Sequence, residues 1–174
     1  MKIELNRDWS EFLSALIARQ VRFLLIGGHA VAGHGQPRLT EDLDVFVEPT
    51  LENGRRLRSA LVDFGFEAVA PTAEALSTPD KVFMLGRKPW RIDILTGIAG
   101  VSFDEAWATR VEAEFARSPL FVIGREALIK NKLAAARPKD RLDVELLRAA
   151  PAAVTQPANP RTAAIKKRPK RHDR

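Results

Sequence analysis

Residues 38–47 read Arg-Leu-Thr-Glu-Asp-Leu-Asp-Val-Phe-Val, and this run decides how the chain is built. The period-2 alternation of an extended segment sends Asp42 and Asp44 to one face and Leu43, Val45 and Val47 to the other. A strand over 43–48 follows, stopped by Pro49-Thr50. Further along, Arg91-Ile92-Asp93-Ile94-Leu95 repeats the pattern, with Asp93 turned away from Ile92 and Ile94. Three like charges brought to one sheet face repel and raise each other's pKa unless a cation neutralises them. Hard divalent ions do this with oxygen ligands, and magnesium commonly takes one or two carboxylates plus substrate phosphates. Asp-X-Asp alone also suits solvent-facing residues at exposed strand ends.

Upstream, Gly27-Gly28 ends a buried strand over 21–26 and precedes a short helix over 29–35. Bare backbone amides there can hold phosphate oxygens, and a plain tight turn uses the same residues. The pair belongs to no G-x-G-x-x-G and is followed by no glycine-lysine-serine/threonine, which excludes the dinucleotide fingerprint and the P-loop.

Outward from these segments, Trp9, Phe12, Leu13, Leu16 and Ile17 recur at helical spacing and form an opening amphipathic helix. Thr50 is placed to cap a helix whose stripe is Leu57, Leu61 and Phe64. A third strand is expected over 66–70. A hairpin is expected from 81–85 and 90–95 around Gly86-Arg87-Lys88-Pro89, and a short strand over 120–123. Helices over 125–136 and 138–150 close the body, the second opening on Pro138. The mixture gives an α/β or α+β class with a mixed sheet. In the penultimate helix Ile129, Leu133 and Ala136 form the expected buried stripe, with Lys132 about 60° off it, able to reach a cleft or to snorkel at the surface. Asp140 and Asp143 fall in the first turns of the last helix, where acids favour the dipole. His29 and His34 read as structural, since neither has a second ligand at useful spacing beyond the other.

The chain has 174 residues, enough for one well-cored domain over 1–150, and its 45% hydrophobic and 29% charged content is that of a globular protein. With no cysteine, disulfides, thiol nucleophiles and thiolate zinc sites are excluded, and a cytoplasmic location is compatible with that usage. No signal peptide or membrane span is readable. The net charge of +6 belongs entirely to 151–174, where Arg161, Lys166, Lys167, Arg168, Lys170, Arg171 and Arg174 face Asp173 alone; the body is neutral. This Ala/Pro-rich basic tail cannot build a core and is expected to be disordered, either touching RNA phosphates or acting as a solubilising appendage.

Taken in order, Gly27-Gly28, Thr40-Glu41-Asp42-Leu43-Asp44 and Asp93 resemble the nucleotidyltransferase superfamily related to DNA polymerase beta. "GGHAVAGHG" and "RLTEDLDVFV" look closest to the small bacterial branch that includes AbiEii-like toxin-antitoxin nucleotidyltransferases. The segment "KNKLAAARPKDRLDVELL", with Lys132, Arg137, Asp140 and Asp143, matches that branch. The resemblance spans roughly 20–148, and the chain is shorter than many relatives, which carry a larger helical domain. It implies a mixed sheet flanked by helices with a short C-terminal helical pair. It also implies transfer of a nucleoside monophosphate from a nucleoside triphosphate to an acceptor hydroxyl. Asp42, Asp44 and Asp93 would hold two magnesium ions, Asp93 also helping to deprotonate the acceptor. Gly27, Gly28, Arg38, Thr40, Lys132 and Arg137 would contact the triphosphate. Implied partners are a tRNA or other RNA end, a protein side chain or a small molecule as acceptor, and an antitoxin protein. The alternative is a non-catalytic nucleic-acid-binding or regulatory member acting through the tail.

A neutral body joined to a +6 tail places any salt-sensitive attraction to RNA in the tail. Each contact with a single strand contributes a slope of about 0.7 to a log-log plot of affinity against salt. Truncation after Ala150 should flatten that plot and barely change the melting temperature. An undiminished slope would mean that the body holds a basic groove.

Overall fold

The structure is a computed structural model describing residues 3, 5–36, 39–115 and 118–149; Arg38 and the basic tail lie outside the described residues. Helix α1 (Arg7–Ala18) is capped by the Asn6 side chain and buries Trp9, Phe12, Leu13 and Leu16, as their spacing requires. Strand β1 (Phe23–Leu25) is wholly buried and leads into α2 (Gly27–Gly33), which begins two residues earlier than the sequence pattern suggests. Strand β2 (Asp42–Val47) precedes α3 (Leu51–Asp63), where the Thr50 hydroxyl accepts from the Asn53 amide as expected. Asn53 ties the helix to the strands. Its Oδ1 accepts from Arg22 N at 2.7 Å, and its Nδ2 donates to the carbonyls of Arg22 and Glu48, each at 3.0 Å.

The strand expected over 66–70 is absent. Gly65, at φ 95°, and Phe66 close α3 instead, with Gly65 N donating to Val62 O and Phe66 N to Leu61 O at 2.9 Å each. This is the Schellman arrangement, and Phe66 packs against Phe64 with ring centroids 5.3 Å apart. The Phe66 amide is consumed by the helix end, so the segment turns rather than extends. A short helix α4 (Ala73–Ser77), capped by Thr72, follows.

The hairpin is present as β3 (Val82–Leu85) and β4 (Arg91–Leu95), paired antiparallel. Besides α4, two further elements were not anticipated. One is α5 (Phe103–Ala108), capped by Ser102; the other is β5 (Val111–Phe115), whose alternate residues are buried. β6 (Ser118–Val122) pairs antiparallel with β5, and α6 (Arg125–Ala135) and α7 (Pro138–Ala149) complete the described chain.

The six strands form one mixed sheet in the order β3-β4-β2-β1-β6-β5. β1 runs antiparallel to β2 and parallel to β6, while β2 runs parallel to β4. Aliphatic residues of the central strands (Leu24, Leu25, Leu43, Val45 and Ile94) are completely buried in the core. Excluding that apolar surface from water is the main favourable term in folding, and it makes the sheet a rigid base for the polar groups it carries. No helix among the described residues is long and apolar enough to cross a membrane.

Candidate active site

Because β2 and β4 are parallel neighbours, Asp42 stands opposite Arg91 and Asp44 opposite Asp93. The acidic positions of two strands distant in sequence thus share one face of the sheet. Arg91 joins them there. Its Nη2 donates to Asp42 Oδ2 and to Asp93 Oδ2, each at 2.8 Å, so those oxygens are separated by at most twice that distance. Its Nε lies 2.8 Å from Asp93 Oδ1 without the alignment of a hydrogen bond, and both atoms are shut off from solvent. Thr40 Oγ1 donates to Asp42 Oδ1 at 3.0 Å, so Thr40 orients a carboxylate.

The glycine pair is fixed by close packing against these residues. Gly27 has φ 65°, and a Cβ there would lie 1.9 Å from Asp44 Oδ2; one on Gly28 would lie 2.9 Å from Thr40 Cβ. Both glycines line a cleft of about 680 Å³ with the three aspartates, and Lys132, Arg137 and Lys139 line it from the α6–α7 hairpin. Lys88, on the rim, lies 3.7 Å from Glu41. The structure therefore gathers Gly27, Gly28, Thr40, Asp42, Asp44, Asp93, Lys132 and Arg137 around one cavity; Arg38 is outside the described residues. Arg91, Lys88 and Lys139 also line it and were missed by the sequence reading. For Arg91 the signal was present, since the alternation that orients Asp93 orients it too.

Among the described residues, no three acidic or histidine side chains are gathered closely enough to hold a metal ion as they stand. The Arg91 guanidinium occupies the space between Asp42 and Asp93. The donor set nevertheless suits magnesium, since all its members are hard carboxylate oxygens and Asp93 Oδ1 is a buried acceptor with no hydrogen bond.

Lys132 is not a snorkelling residue. The buried face of α6 comprises Ala127, Leu128, Ile129, Asn131 and Lys132, whereas Leu133 is 54% exposed and Ala136 is exposed in a left-handed C-cap. Of the expected stripe only Ile129 is buried; Asn131 and Lys132 take the inward places expected of Leu133 and Ala136 and line the cleft. Polar partners permit this. Asn131 Nδ2 donates to Ala99 O at 3.0 Å, and Lys132 Nζ donates to Asp140 Oδ1 at 3.2 Å and Asp143 Oδ2 at 2.5 Å. Arg137 Nε adds a bond to Asp140 Oδ2 at 2.9 Å. Burial would raise the Asp140 carboxyl pKa, but the hydrogen bonds from Arg137 and Lys132 outweigh it and hold the group below its ordinary value.

At Asp44, burial first and the charges of Asp42 and Asp93 second push the carboxyl from 3.8 up to about 6, against the pull of Lys139 and Arg137. His34 Nε2 donates to Ile123 O at 2.9 Å, and His29 stacks edge-on against Trp9, its pKa lowered to about 4 by burial despite the charge of Asp42.

The fold is that of a solved nucleotidyltransferase. The structure resembles the crystal structure of the lincosamide antibiotic adenylyltransferase LnuA bound to lincomycin, with a TM-score of 0.52 and 14% sequence identity. The match covers 86% of this chain and 100% of that one. No family model and no curated protein matches the sequence.

Two outcomes follow from the charges. Lys132→Met should lower unfolding free energy by about 3–5 kcal/mol, the usual cost of breaking a buried ion pair. An unchanged denaturation midpoint would show the triad to be dispensable. The elevated Asp44 pKa means that folding takes up a proton, so this group's contribution to stability is lost as pH rises from about 4 to about 6. Asp44→Asn should raise the melting temperature by several degrees at pH 8 and leave it unchanged at pH 4. The same change at both pH values would contradict the assignment.

Proposed function

We propose that this protein is a metal-dependent nucleotidyltransferase, transferring a nucleoside monophosphate from a nucleoside triphosphate to an acceptor hydroxyl. The observation that carries the reading is the in-register pairing that sets Asp44 opposite Asp93 in a cleft also lined by Gly27, Gly28, Arg137 and Lys139. The acceptor oxygen forms a bond to the α-phosphorus as the bond to pyrophosphate breaks, and the acceptor proton passes to Asp93. Magnesium held by Asp42, Asp44 and Asp93 would polarise the phosphoryl oxygens and offset the charge developing on the attacking and leaving oxygens.

The remaining residues bind and orient. The glycine backbone lines one wall, where its amides would meet the phosphate oxygens, and a larger side chain at either position would collide with Asp44 or Thr40. Thr40 holds Asp42 in place through its hydroxyl. Arg137 and Lys139 balance the triphosphate from the opposite wall, their charges already felt at Asp44. Lys132 supports that wall by fixing α7 to α6 through its ion pairs with Asp140 and Asp143.

The motif carrying Lys132, Arg137, Asp140 and Asp143 supports assignment to the AbiEii-like branch and, with it, a role as the toxin of a toxin-antitoxin pair acting in the cytoplasm. The acceptors to be tried are tRNA and other RNA ends, protein side chains and small molecules, including a lincosamide because the structural neighbour is a lincosamide adenylyltransferase. Each α-labelled triphosphate, incubated with magnesium and these acceptors, should label one class of product. Asp93→Asn should reduce incorporation by about a hundredfold or more. Label that persists undiminished in that variant, or no label with any triphosphate and acceptor, would overturn the assignment.

A further inference from the structure

Arg91 is held much as a metal would be held. Carboxylates from two strands grip it on the active face of the sheet, and its side chain is 26% exposed toward the cleft. The grip is incomplete. One nitrogen serves both Asp42 and Asp93, while Nε and Asp93 Oδ1 stand close without a hydrogen bond. A divalent cation carries twice the charge in a far smaller volume and suits these oxygens better than a guanidinium does. The two cannot share the space. The backbone of β4 is anchored by buried Ile92 and Ile94, so accommodation falls to the long Arg91 side chain, whose open direction is the cleft.

We propose that Arg91 is a positioning residue that occupies the carboxylate site when no metal is bound, releases Asp42 and Asp93 as a divalent cation enters, and then engages the phosphates of the incoming triphosphate. A planar guanidinium pairs with phosphate through two parallel hydrogen bonds, so the group that yields to the cation gains a new partner in the same event. Metal and triphosphate then bind cooperatively, because each contributes to moving Arg91 from one set of partners to the other. The inference rests on the nucleotidyltransferase reading of the cleft.

The test counts free Mn²⁺ by electron paramagnetic resonance during titration of the full chain, with and without a non-hydrolysable triphosphate analogue. The parent, Arg91→Met and Arg91→Lys are compared, each with and without Asp93→Asn. Without nucleotide, Arg91→Met should bind Mn²⁺ roughly tenfold more tightly than the parent, since a charge-assisted competitor has been removed. The analogue should enhance its Mn²⁺ affinity much less than it does the parent's. Arg91→Lys, too short and too compact to bridge two carboxylates, should lie between. Unchanged or weaker Mn²⁺ binding in both variants overturns the competition, and unchanged enhancement by the analogue overturns the phosphate role. The Asp93→Asn arm separates the two readings. If it abolishes Mn²⁺ binding in the parent, such a failure belongs to Arg91 alone; if it changes nothing, the metal site itself is refuted and the proposal falls with it.

Discussion

Parallel neighbours in register cannot avoid bringing their residues face to face, and here the register of β2 and β4 sets one aspartate opposite another. In water two carboxylates at that spacing would repel weakly; here burial first, and the charges of Asp42 and Asp93 second, push the Asp44 carboxyl up to about 6. Much of the cleft's construction offsets this charge. Arg91 bridges Asp42 and Asp93, Thr40 donates to Asp42, and the charges of Arg137 and Lys139 on the α6–α7 hairpin act on Asp44. A site that stores like charge in this way suits the cation that the proposed phosphoryl transfer would use.

A second charge cluster supports the first from behind. Lys132, Asp140 and Asp143 are almost completely buried, and Arg137 closes over Asp140. Buried ion pairs contribute little net stability relative to well-packed apolar residues, but removing one member is expensive, so such clusters enforce one arrangement. The arrangement enforced here is the α6–α7 hairpin, with Ala136 left-handed at the turn and Arg137 and Lys139 presented to the cleft. The positive wall and its support are therefore contiguous, with Arg137 belonging to both.

Where hydrophobic periodicity and structure part company, the cause is a hydrogen-bond partner that periodicity does not count. Phe66-Glu67-Ala68-Val69-Ala70 has the alternation of a strand, but Gly65 commits the Phe66 amide to closing α3. On α6 the apolar pattern points to Leu133, yet the buried side carries Asn131 and Lys132 because Ala99, Asp140 and Asp143 satisfy them. Hydrophobic periodicity cannot anticipate this, since it counts a lysine as outward whatever waits for it. By contrast β5, reading Val-Glu-Ala-Glu-Phe, and the Ser102 cap of α5 were legible by the ordinary rules of alternation and capping.

By itself the sequence determined which face of each acidic strand carries the aspartates, where the glycines must lie and how α1 and α3 begin or bury themselves. The alternation and the caps are local consequences of backbone period and side-chain reach, while the glycine turn is also held by its close approach to Asp44 and Thr40. The tertiary structure alone decided that β2 and β4 are neighbours, that Arg91 rather than solvent lies between Asp42 and Asp93, and that Lys132 points inward to two acids on the next helix. Each of these depends on which charge meets which across the fold. Electrostatic energy is set by distance and burial, and neither exists until the chain has packed.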